Sequence, residues 1–296
     1  MIDTLAELSN SLRAQADAAR ALVAAIGAGN RRHITGTLWS ADTLVASEQS
    51  LPRAPTFTVT LAAGAATQAA LRGRDPGTNI AVLRLAQPAS APSIVAGEAV
   101  VGALACAYGA DGAGGVTARL GVVNTVGPEW LSSAGGRIDR RIVLDMRLAA
   151  AEEGGPVLDV DGACVGITTL GPRRQVLVIP TATVDRVVPA LCRDGRVARG
   201  WLGVALQPVA VPDALTEHTG DACGLMVMSL AEDGPAAKAG VLAGDIVVGV
   251  NGKPAGRFRS LLAELGPDSI GTTVELRVIR GGAVTSIGTA IEARPQ

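Results

Sequence analysis

The spacing of apolar residues divides the chain into a helical segment, a long region of short strands, and a mixed C-terminal region. Over residues 3–26, apolar side chains recur at alternating intervals of three and four, which predicts an amphipathic helix. Gly27 and Gly29 end this spacing, as glycine commonly does at a helix C-terminus. We expect the helix to pack on its own domain, and the alternative is a contact with another copy of the chain.

From His33 to about Val187 the pattern changes to short apolar runs separated by Gly, Pro, Asn and Asp. Such runs predict strands, and many strands without helices between them predict an all-β sandwich or a pair of barrels. Helical spacing resumes over TATVDRVVPALCRDG and closes the region. The predicted strands are ITGTLW, TLVAS, FTVTLA, NIAVLRL, AVVGALACAY, GVTARLGVVNTV, RRIVLDM, GPVLDV, CVGITTL and QVLVIP.

Residues 199–293 contain a second β-rich region with one Ala-rich and one Leu-rich helical segment. The stretch 193–199 before it is charged and contains glycine, as linkers often do. With 296 residues, the chain is long enough for two domains of ordinary size. We therefore predict an N-terminal helix at 1–29, a β-rich domain at 30–192 and a smaller domain at 199–296.

The composition limits the partners of the chain. Lys and Arg number 26 against 27 Asp and Glu, and aromatic residues make up only 2%, so neither charge nor base stacking favours nucleic acid. No apolar run approaches the roughly 20 residues that a membrane span needs. The first dozen residues carry Asp3 and Glu7 without Lys or Arg, unlike a signal peptide. We therefore expect a cytoplasmic chain, or a periplasmic one if an export signal has been removed.

The two histidines and four cysteines limit the chemistry further. A His-rich metal centre is excluded, and we expect His33 and His218 to be surface or cap residues rather than general bases. The cysteines show neither a C-x-x-C pair nor a short metal-ligand spacing, so we predict reduced structural thiols and no metal or other cofactor. The cysteines are Cys106, Cys164, Cys192 and Cys223.

Four stretches carry a signal for a particular family: GTLWSADTLVASEQSL (36–51), GRDPGTNIAVLRL (73–85), RIVLDMRLAAAEEGGPVLDVDGACVGI (141–167) and the block 199–256. In this order, they resemble the HtrA/Deg family of trypsin-like serine proteases with a C-terminal PDZ domain. The resemblance covers nearly the whole chain after the N-terminal helix. It implies a mainly β fold with that helix, a trypsin-like double β-barrel at 30–192 and a small α/β PDZ domain.

The resemblance implies that Gln49, Asn79 and Glu153 occupy the positions of the catalytic His, Asp and Ser, with Glu48 replacing Gln49 if the register differs by one. Glu153 has no hydroxyl to attack a carbonyl, and a glutamine amide does not usefully accept a proton near pH 7. Ala151 stands at the glycine of the family's oxyanion loop, whose backbone angles disfavour alanine. We therefore predict an inactive relative of the serine endopeptidases, a pseudoprotease.

The carboxylates around this loop offer an alternative chemistry. A pair formed by Glu153 with Glu48 or Glu152 would give an acid–base dyad or a cation site. We favour instead a solvated Glu152, and a Glu153 that pairs with an amide such as that of Gln49 or Asn79.

The segment Arg199 to Val204 resembles the family's carboxylate-binding loop, in which consecutive backbone N–H groups hold a peptide C-terminus. Asn251-Gly252 predicts a hairpin turn downstream, and a helix follows over residues 258–265. The leucines on one side of that helix are expected either to line a pocket or only to pack in the core. The predicted peptide-binding residues are Trp201, Leu202, Gly203, Val204, Leu261, Leu262 and Leu265.

Three functions remain open for this sequence. The first is a non-catalytic binding protein whose PDZ domain captures protein or peptide C-termini, with the homotrimer that the resemblance implies. The second is an active HtrA-type serine endopeptidase in protein quality control. The third is a structural subunit of an oligomeric assembly. We predict the first, because all three triad positions differ from the family pattern.

Overall fold

The protein was analysed as a computed structural model, which describes residues 2–30, 32–90, 92–211, 216 and 222–295. His218 lies outside the described residues. The chain divides into two units, Met1–Val197 and Ala198–Gln296. The first contains the N-terminal helix and two closed β-barrels, and the second contains a β-sheet with short helices. The predicted fold class is therefore confirmed.

Helix α1 spans Ile2–Ala19 and is followed by a 3-10 turn, Arg20–Leu22. The prediction of a helix through residue 26 is wrong beyond this point, because Val23–Gly27 forms strand β1. Residues 23–26 are all buried in the strand. A short strand with apolar side chains on both faces fits a spacing of three and four as well as a helix does, so the periodicity did not separate the two.

Helix α1 packs on its own domain, as expected. Gln15 Nε2 donates a hydrogen bond to the Asp159 carbonyl at 2.6 Å, and the Tyr108 hydroxyl donates to Gln15 Oε1 at 2.7 Å. Leu12 and Ala16 lie against the buried cluster that contains Tyr108. A buried tyrosine hydroxyl needs a partner, so Gln15 fixes where the helix sits on the second barrel.

The first barrel is a closed antiparallel sheet, so its strands leave no open edge. Besides β1 it contains β2 (His33–Leu38), β3 (Thr43–Ser47), β4 (Thr56–Thr60), β5 (Ala66–Asp75) and β6 (Ile80–Leu85). Neighbouring strands pair in the order β1-β2-β3-β6-β5-β4, and β4 pairs back to β1. This order places the end of β3 beside the start of β6.

The second barrel is closed in the same way. It contains β7 (Leu104–Ala110), β8 (Val116–Gly127), β11 (Arg141–Asp145), β12 (Pro156–Leu158), β13 (Cys164–Leu170) and β14 (Val176–Pro180). The strand order is β11-β14-β13-β12-β7-β8. Strands β9 (Trp130–Leu131) and β10 (Arg137–Ile138) form a two-stranded antiparallel ribbon, which lies between β8 and β11 in the sequence.

The two barrels contain two strands that the apolar pattern did not predict, β1 and β5. The burial of strand β5 alternates from residue to residue, but its sequence is mainly Ala, Gly and Arg and is poorer in β-branched residues than its neighbours. Conversely, residues 99–103, predicted as the start of a strand, precede β7. In β1, in β5 and at residues 99–103, pairing with neighbouring strands rather than local propensity decides whether a strand forms.

Helix α2, Thr181–Asp194, closes the first unit where helical spacing was predicted. Val184, Val187 and Leu191 are buried in a cluster shared with both barrels. Gly195 ends the helix in the left-handed conformation, with φ of 72°, and its N–H donates to the Leu191 carbonyl at 3.1 Å.

The cysteines are free thiols. Cys106 and Cys164 are buried in strands, and burial raises the pKa of the Cys164 thiol to about 11. Such a thiol stays protonated and unreactive near neutral pH, as a structural residue does. Across the described residues, no helix combines the length and the apolar character that crossing a membrane requires.

The second unit is built on a sheet in the order β16-β17-β18-β20-β21, in which β16 forms one edge. Its strands are β15 (Gly200–Trp201), β16 (Val204–Ala210), β17 (Cys223–Leu230), β18 (Ile246–Val250), β19 (Lys253–Pro254), β20 (Thr273–Arg280), β21 (Ala283–Ala290) and β22 (Glu292–Ala293). Described helices of this unit include α3 (Pro235–Lys238), α4 (Phe258–Glu264) and the 3-10 turn Pro267–Ser269.

Two polar anchors hold this unit together. Asp245 is buried at the start of β18, and hydrogen bonds from Arg280 lower the pKa of its carboxyl group. Asn251 and Gly252 form the predicted hairpin turn, and both have positive φ. The Asn251 amide also donates to Glu264 Oε2 at 2.9 Å, which ties the turn to helix α4.

Candidate functional site

Gln49, Asn79 and Glu153 come together where the first barrel meets the second. Gln49 follows β3 and Asn79 precedes β6, and because β3 pairs with β6 these two residues are neighbours. The Gln49 N–H donates to Asn79 Oδ1 at 2.8 Å. Glu153 follows the 3-10 turn Ala150–Glu152 of the second barrel. The three positions singled out in the sequence therefore form one cluster.

Glu153 is the centre of this cluster, as a carboxylate that is only 4% exposed. Gln49 Nε2 donates to its Oε1, and Ser50 Oγ donates to its Oε2. Further donors to Oε1 are Ser47 Oγ at 2.9 Å, Thr169 Oγ1 at 3.0 Å and the Leu170 N–H at 3.1 Å. Glu153 thus pairs with the Gln49 amide, as expected, and joins residues of both barrels.

Asn79 supports the cluster from the first barrel. Its φ of 57° lies in the left-handed region, which asparagine tolerates better than most residues. The Nδ2 group donates to Ser47 Oγ at 3.0 Å and to Thr169 Oγ1 at 2.6 Å. These two hydroxyls in turn donate to Glu153, so Asn79 orients them as part of a connected network.

Glu48 does not belong to the cluster. Its Oε1 lies 3.5 Å from Arg74 Nη1 and 3.8 Å from Arg53 Nη2. Gln49 rather than Glu48 therefore faces Glu153, so the dyad of Glu48 with Glu153 is not formed.

Glu152 does not face solvent, contrary to expectation. It is 3% exposed, and its Oε1 accepts from Arg119 Nε at 2.9 Å and from Thr117 Oγ1 at 2.9 Å. Its Oε2 accepts the Ala149 N–H at 2.7 Å. The 3-10 turn directs this side chain onto β8, where arginine and a hydroxyl compensate its burial, and Glu153 alone faces the cluster.

The turn that carries Ala151 is closed on itself. The Glu153 N–H donates to the Ala150 carbonyl at 3.4 Å, inside the 3-10 turn. The Ala151 carbonyl accepts a hydrogen bond from Thr35 Oγ1 at 2.6 Å. An oxyanion hole needs backbone N–H groups that point together towards a substrate oxygen. Here the N–H of residue 153 is used within the turn.

The cluster offers hydroxyl and carboxylate chemistry. Ser50 is the donor to Glu153 Oε2, and it is a partly exposed hydroxyl directly beside a carboxylate. A carboxylate within hydrogen-bond reach of a hydroxyl can accept its proton. His33 contributes nothing here, because its Nε2 lies 2.9 Å from the Ala110 carbonyl. In the described part of the chain, no group of three His, Cys, Asp or Glu side chains is placed to hold a metal ion.

Sequence reasoning missed three hydroxyl residues of the cluster, Ser47, Ser50 and Thr169. The first two flank Gln49 in the segment SEQS, so their proximity was available as a local signal. Thr169 lies on β13 in the same barrel as Glu153, and only the packing of the two barrels brings it to Gln49 and Asn79.

The second unit places the predicted carboxylate-binding loop at the start of an edge strand. Gly203 has φ of 75°, which glycine adopts without strain, and it directly precedes β16. Leu202 and Gly203 are buried, and neither N–H donates to a carbonyl of the described backbone. Buried N–H groups need an acceptor, so this loop offers two donors to an incoming anionic group.

The predicted pocket residues divide into core and groove. Leu202 and Leu261 are almost fully buried in the core of the unit, whereas Val204 and Leu265 are partly buried against that core. Leu262 is half-buried on helix α4 and does not belong to the core cluster. Of the remaining two, Trp201 is half-buried and Gly203 forms the loop. Val204, Leu262 and Leu265 are thus the predicted pocket residues with accessible surface.

Comparison with known proteins identifies both units. The family model of the trypsin-like peptidase domain matches residues 34–167, and that of the PDZ domain matches residues 200–291. A probable periplasmic serine endoprotease DegP-like of Brucella suis is 33% identical over 249 residues, covering 81% of this chain and 48% of the relative. The corresponding protein of Bartonella henselae is 32% identical over 267 residues, covering 86% of this chain and 51% of the relative.

Solved structures agree with this assignment. The HtrA-type protease AlgW with tripeptide has a TM-score of 0.72 and 26% identity, covering 95% of this chain and 97% of that chain. A serine endoprotease from Yersinia pestis, with 24% identity and a TM-score of 0.72, covers 95% of this chain and 97% of its own and supports the fold. The chain therefore joins a trypsin-like peptidase domain to a PDZ domain. In this pair of domains and in its fold it is similar to the HtrA-type proteases, and it spans about half the length of the curated relatives it matches.

The comparisons contradict the prediction that the chain is not an enzyme. The curated relatives are named serine endoproteases, and the AlgW structure is named an HtrA-type protease. That prediction is therefore wrong. It rested on only three residues, 49, 79 and 153, whereas the similarity to the named proteases extends over both domains. The expectation of a cytoplasmic chain is likewise unsupported, since the relatives are named as periplasmic.

Proposed function

We propose that this chain acts as a periplasmic HtrA-type endoprotease in protein quality control, and that its PDZ domain binds the free C-termini of polypeptides. The observation that carries the proposal is the loop before β16, where the N–H groups of two buried residues, Leu202 and Gly203, have no carbonyl acceptor in the described backbone. A terminal carboxylate is the ligand that fits such donors at the end of a strand.

The edge position of β16 provides the second part of the binding site. An extended peptide can add to an open strand edge through backbone hydrogen bonds, while its last side chain enters a pocket. Val204 and Leu265, packed on the core, and the half-buried Leu262 form an apolar surface for that side chain. We therefore expect a preference for apolar C-terminal residues, with micromolar affinity, because only one side chain and a few hydrogen bonds offset the cost of association.

Binding of a free-acid peptide is expected to weaken at least tenfold when the C-terminus of the same peptide is amidated. Amidation removes the charge-assisted hydrogen bonds to the loop. Leu262→Glu should weaken the free-acid peptide similarly, because it places a like charge at the pocket. Fluorescence anisotropy with the full chain measures both, and Leu242→Glu, an exposed leucine in the same unit, serves as control. Equal affinities for acid and amide would contradict recognition of a C-terminus.

The names of the relatives and the trypsin-like domain support the endoprotease part of the proposal. The cleft has no serine, histidine and aspartate at positions 153, 49 and 79, so proton transfer there would use other groups. The Ser50 hydroxyl and the Glu153 carboxylate are the bonded pair suited to it. Substitutions of Ser50 and Glu153 therefore test the endoprotease part of the proposal.

Purified full chain is expected to convert unfolded casein into fragments, and Ser50→Ala or Glu153→Gln should each abolish the reaction. Ser133→Ala, at an exposed serine, is the matched control that should leave cleavage unchanged. Gel electrophoresis over a time course measures the loss of intact casein. Casein that stays as intact as in buffer alone would reject the endoprotease part, while the peptide titration would still test C-terminal binding.

A further inference from the structure

A tight turn made of two arginines joins β13 to β14 next to the cluster around Glu153. The Gln175 N–H donates to the Pro172 carbonyl at 3.2 Å, which closes a four-residue turn. Its central residues, Arg173 and Arg174, have φ of 55° and 59°. Two successive left-handed residues define a type I′ turn, which strongly prefers Asn-Gly. Arginine is strained at both positions, and exposed residues there gain no core packing in return.

One more arginine contacts this turn, and another precedes a residue that the turn contacts. Arg141 Nη2 donates to Gln175 Oε1 at 3.3 Å, and Arg174 Nη2 donates to the carbonyl of Leu148 at 3.3 Å, next to Arg147. All four arginines are exposed. We refer to them as the arginine rim, which consists of Arg141, Arg147, Arg173 and Arg174.

The arginine rim is a local excess of positive charge. Within the described part of the chain, none of its four side chains takes part in an ion pair, although many other arginines do. Asp145 is an exposed carboxylate on the same stretch, and Glu152 is already bonded to Arg119. The whole chain has a net charge of −1, so these positive charges are concentrated rather than general.

The rim adjoins the cluster through Leu170, the last residue of β13. The Leu170 N–H donates to Glu153 Oε1, and its carbonyl accepts from Gln49 Nε2 at 2.9 Å. Arg173 follows only three residues later. An extended chain advances roughly 3.3 Å per residue, so a polypeptide at the cluster has its next few residues beside the rim.

We propose that the arginine rim binds an acidic segment of the polypeptide whose adjoining part lies at the cluster. Arginine suits this partner because its planar guanidinium binds carboxylates through two parallel hydrogen bonds. A polypeptide is favoured over other polyanions because the rim borders the cleft of a peptidase domain. The proposal rests on the proposed function only in taking a polypeptide as the ligand.

A fluorescein-labelled peptide with six Asp and Glu residues and an amidated C-terminus tests the proposal on the full chain. Amidation separates this test from recognition of a free C-terminus. We expect anisotropy titrations at low salt to show at least tenfold tighter binding than for the same peptide with Asn and Gln. Raising the salt to 300 mM should remove the difference, because exposed charges are screened. Equal affinities for the two peptides at low salt would overturn the proposal.

The double variant Arg173→Asn/Arg174→Gly gives the turn its preferred residues, so it is expected to fold at least as well as the parent. We expect it to lose at least tenfold in affinity for the acidic peptide. Arg13→Gln/Arg20→Gln, which removes one exposed charge from α1 and one from the 3-10 turn after it, should change the affinity less than twofold. Unchanged binding in the first variant would contradict the assignment. So would tighter binding of an oligonucleotide or of phosphatidylserine vesicles than of the acidic peptide.

Discussion

Adding Ala151→Gly to a variant with Gln49→His, Asn79→Asp and Glu153→Ser is expected to raise kcat about 100-fold. The three changes supply the side chains of a serine protease triad. They leave the 3-10 turn at 150–152, in which the N–H of residue 153 donates to the Ala150 carbonyl. Glycine at 151 admits backbone angles that alanine disfavours, so the turn can reopen and present its N–H groups to an oxyanion.

The triple and quadruple variants are compared by casein cleavage and by their rate of labelling with a fluorophosphonate, which reacts with an activated serine. Ala150→Gly, one residue earlier in the same turn, is the matched control and should leave the triple variant's rate within about threefold. The same rate with and without glycine at 151 would show that the backbone of this turn does not limit the chemistry.

Glu153→Ala in the natural sequence is expected to lower the free energy of unfolding of the first unit by about 3 kcal/mol. The buried carboxylate accepts hydrogen bonds from both barrels, and its removal leaves several donors without an acceptor. Each buried donor left unpaired costs about 1–3 kcal/mol, and local rearrangement of Ser47, Gln49 and Thr169 recovers part of that loss.

Equilibrium urea unfolding measures this effect. Glu153→Gln, which keeps the volume of the side chain, separates lost hydrogen bonds from a lost packing volume, and we expect it to be intermediate. Glu98 is exposed and forms one ion pair, with Arg140 at 3.8 Å, so Glu98→Ala should change the unfolding free energy by less than about 0.5 kcal/mol. A loss below about 1 kcal/mol for Glu153→Ala would mean that the carboxylate does not hold the barrels together.

The residues at positions 49, 79 and 153, which all differ from the triad of the family pattern, belong to one hydrogen-bond network. Gln49 donates to Glu153, and Asn79 orients Ser47 and Thr169, which donate to the same carboxylate. The three residues are therefore complementary as a hydrogen-bonded set. A single reversal alters hydrogen bonds that the other two residues share, so the effects of variants at these positions are not expected to add.

The sequence alone determined that the chain contains two β-rich domains, that helix α2 closes the first of them, and that Asn251-Gly252 forms a hairpin turn. These features depend on short-range physics: alternation on strands, helical spacing, and the positive φ that Asn-Gly accepts. It also singled out residues 49, 79 and 153 as candidate site residues, because the motifs around them are continuous in the chain.

The tertiary structure decided the features that depend on pairing between distant segments. Residues 23–26 become β1 because the core of the first barrel covers one face of the strand and the cluster around Tyr108 of the second barrel covers the other, although their spacing also fits a helix. Glu152 is buried rather than solvated because Arg119, on a distant strand, compensates its charge. Thr169 meets Asn79 only because the two barrels pack against each other. The free energy of burying a polar group depends on partners far away in the chain, and local sequence patterns carry no record of them.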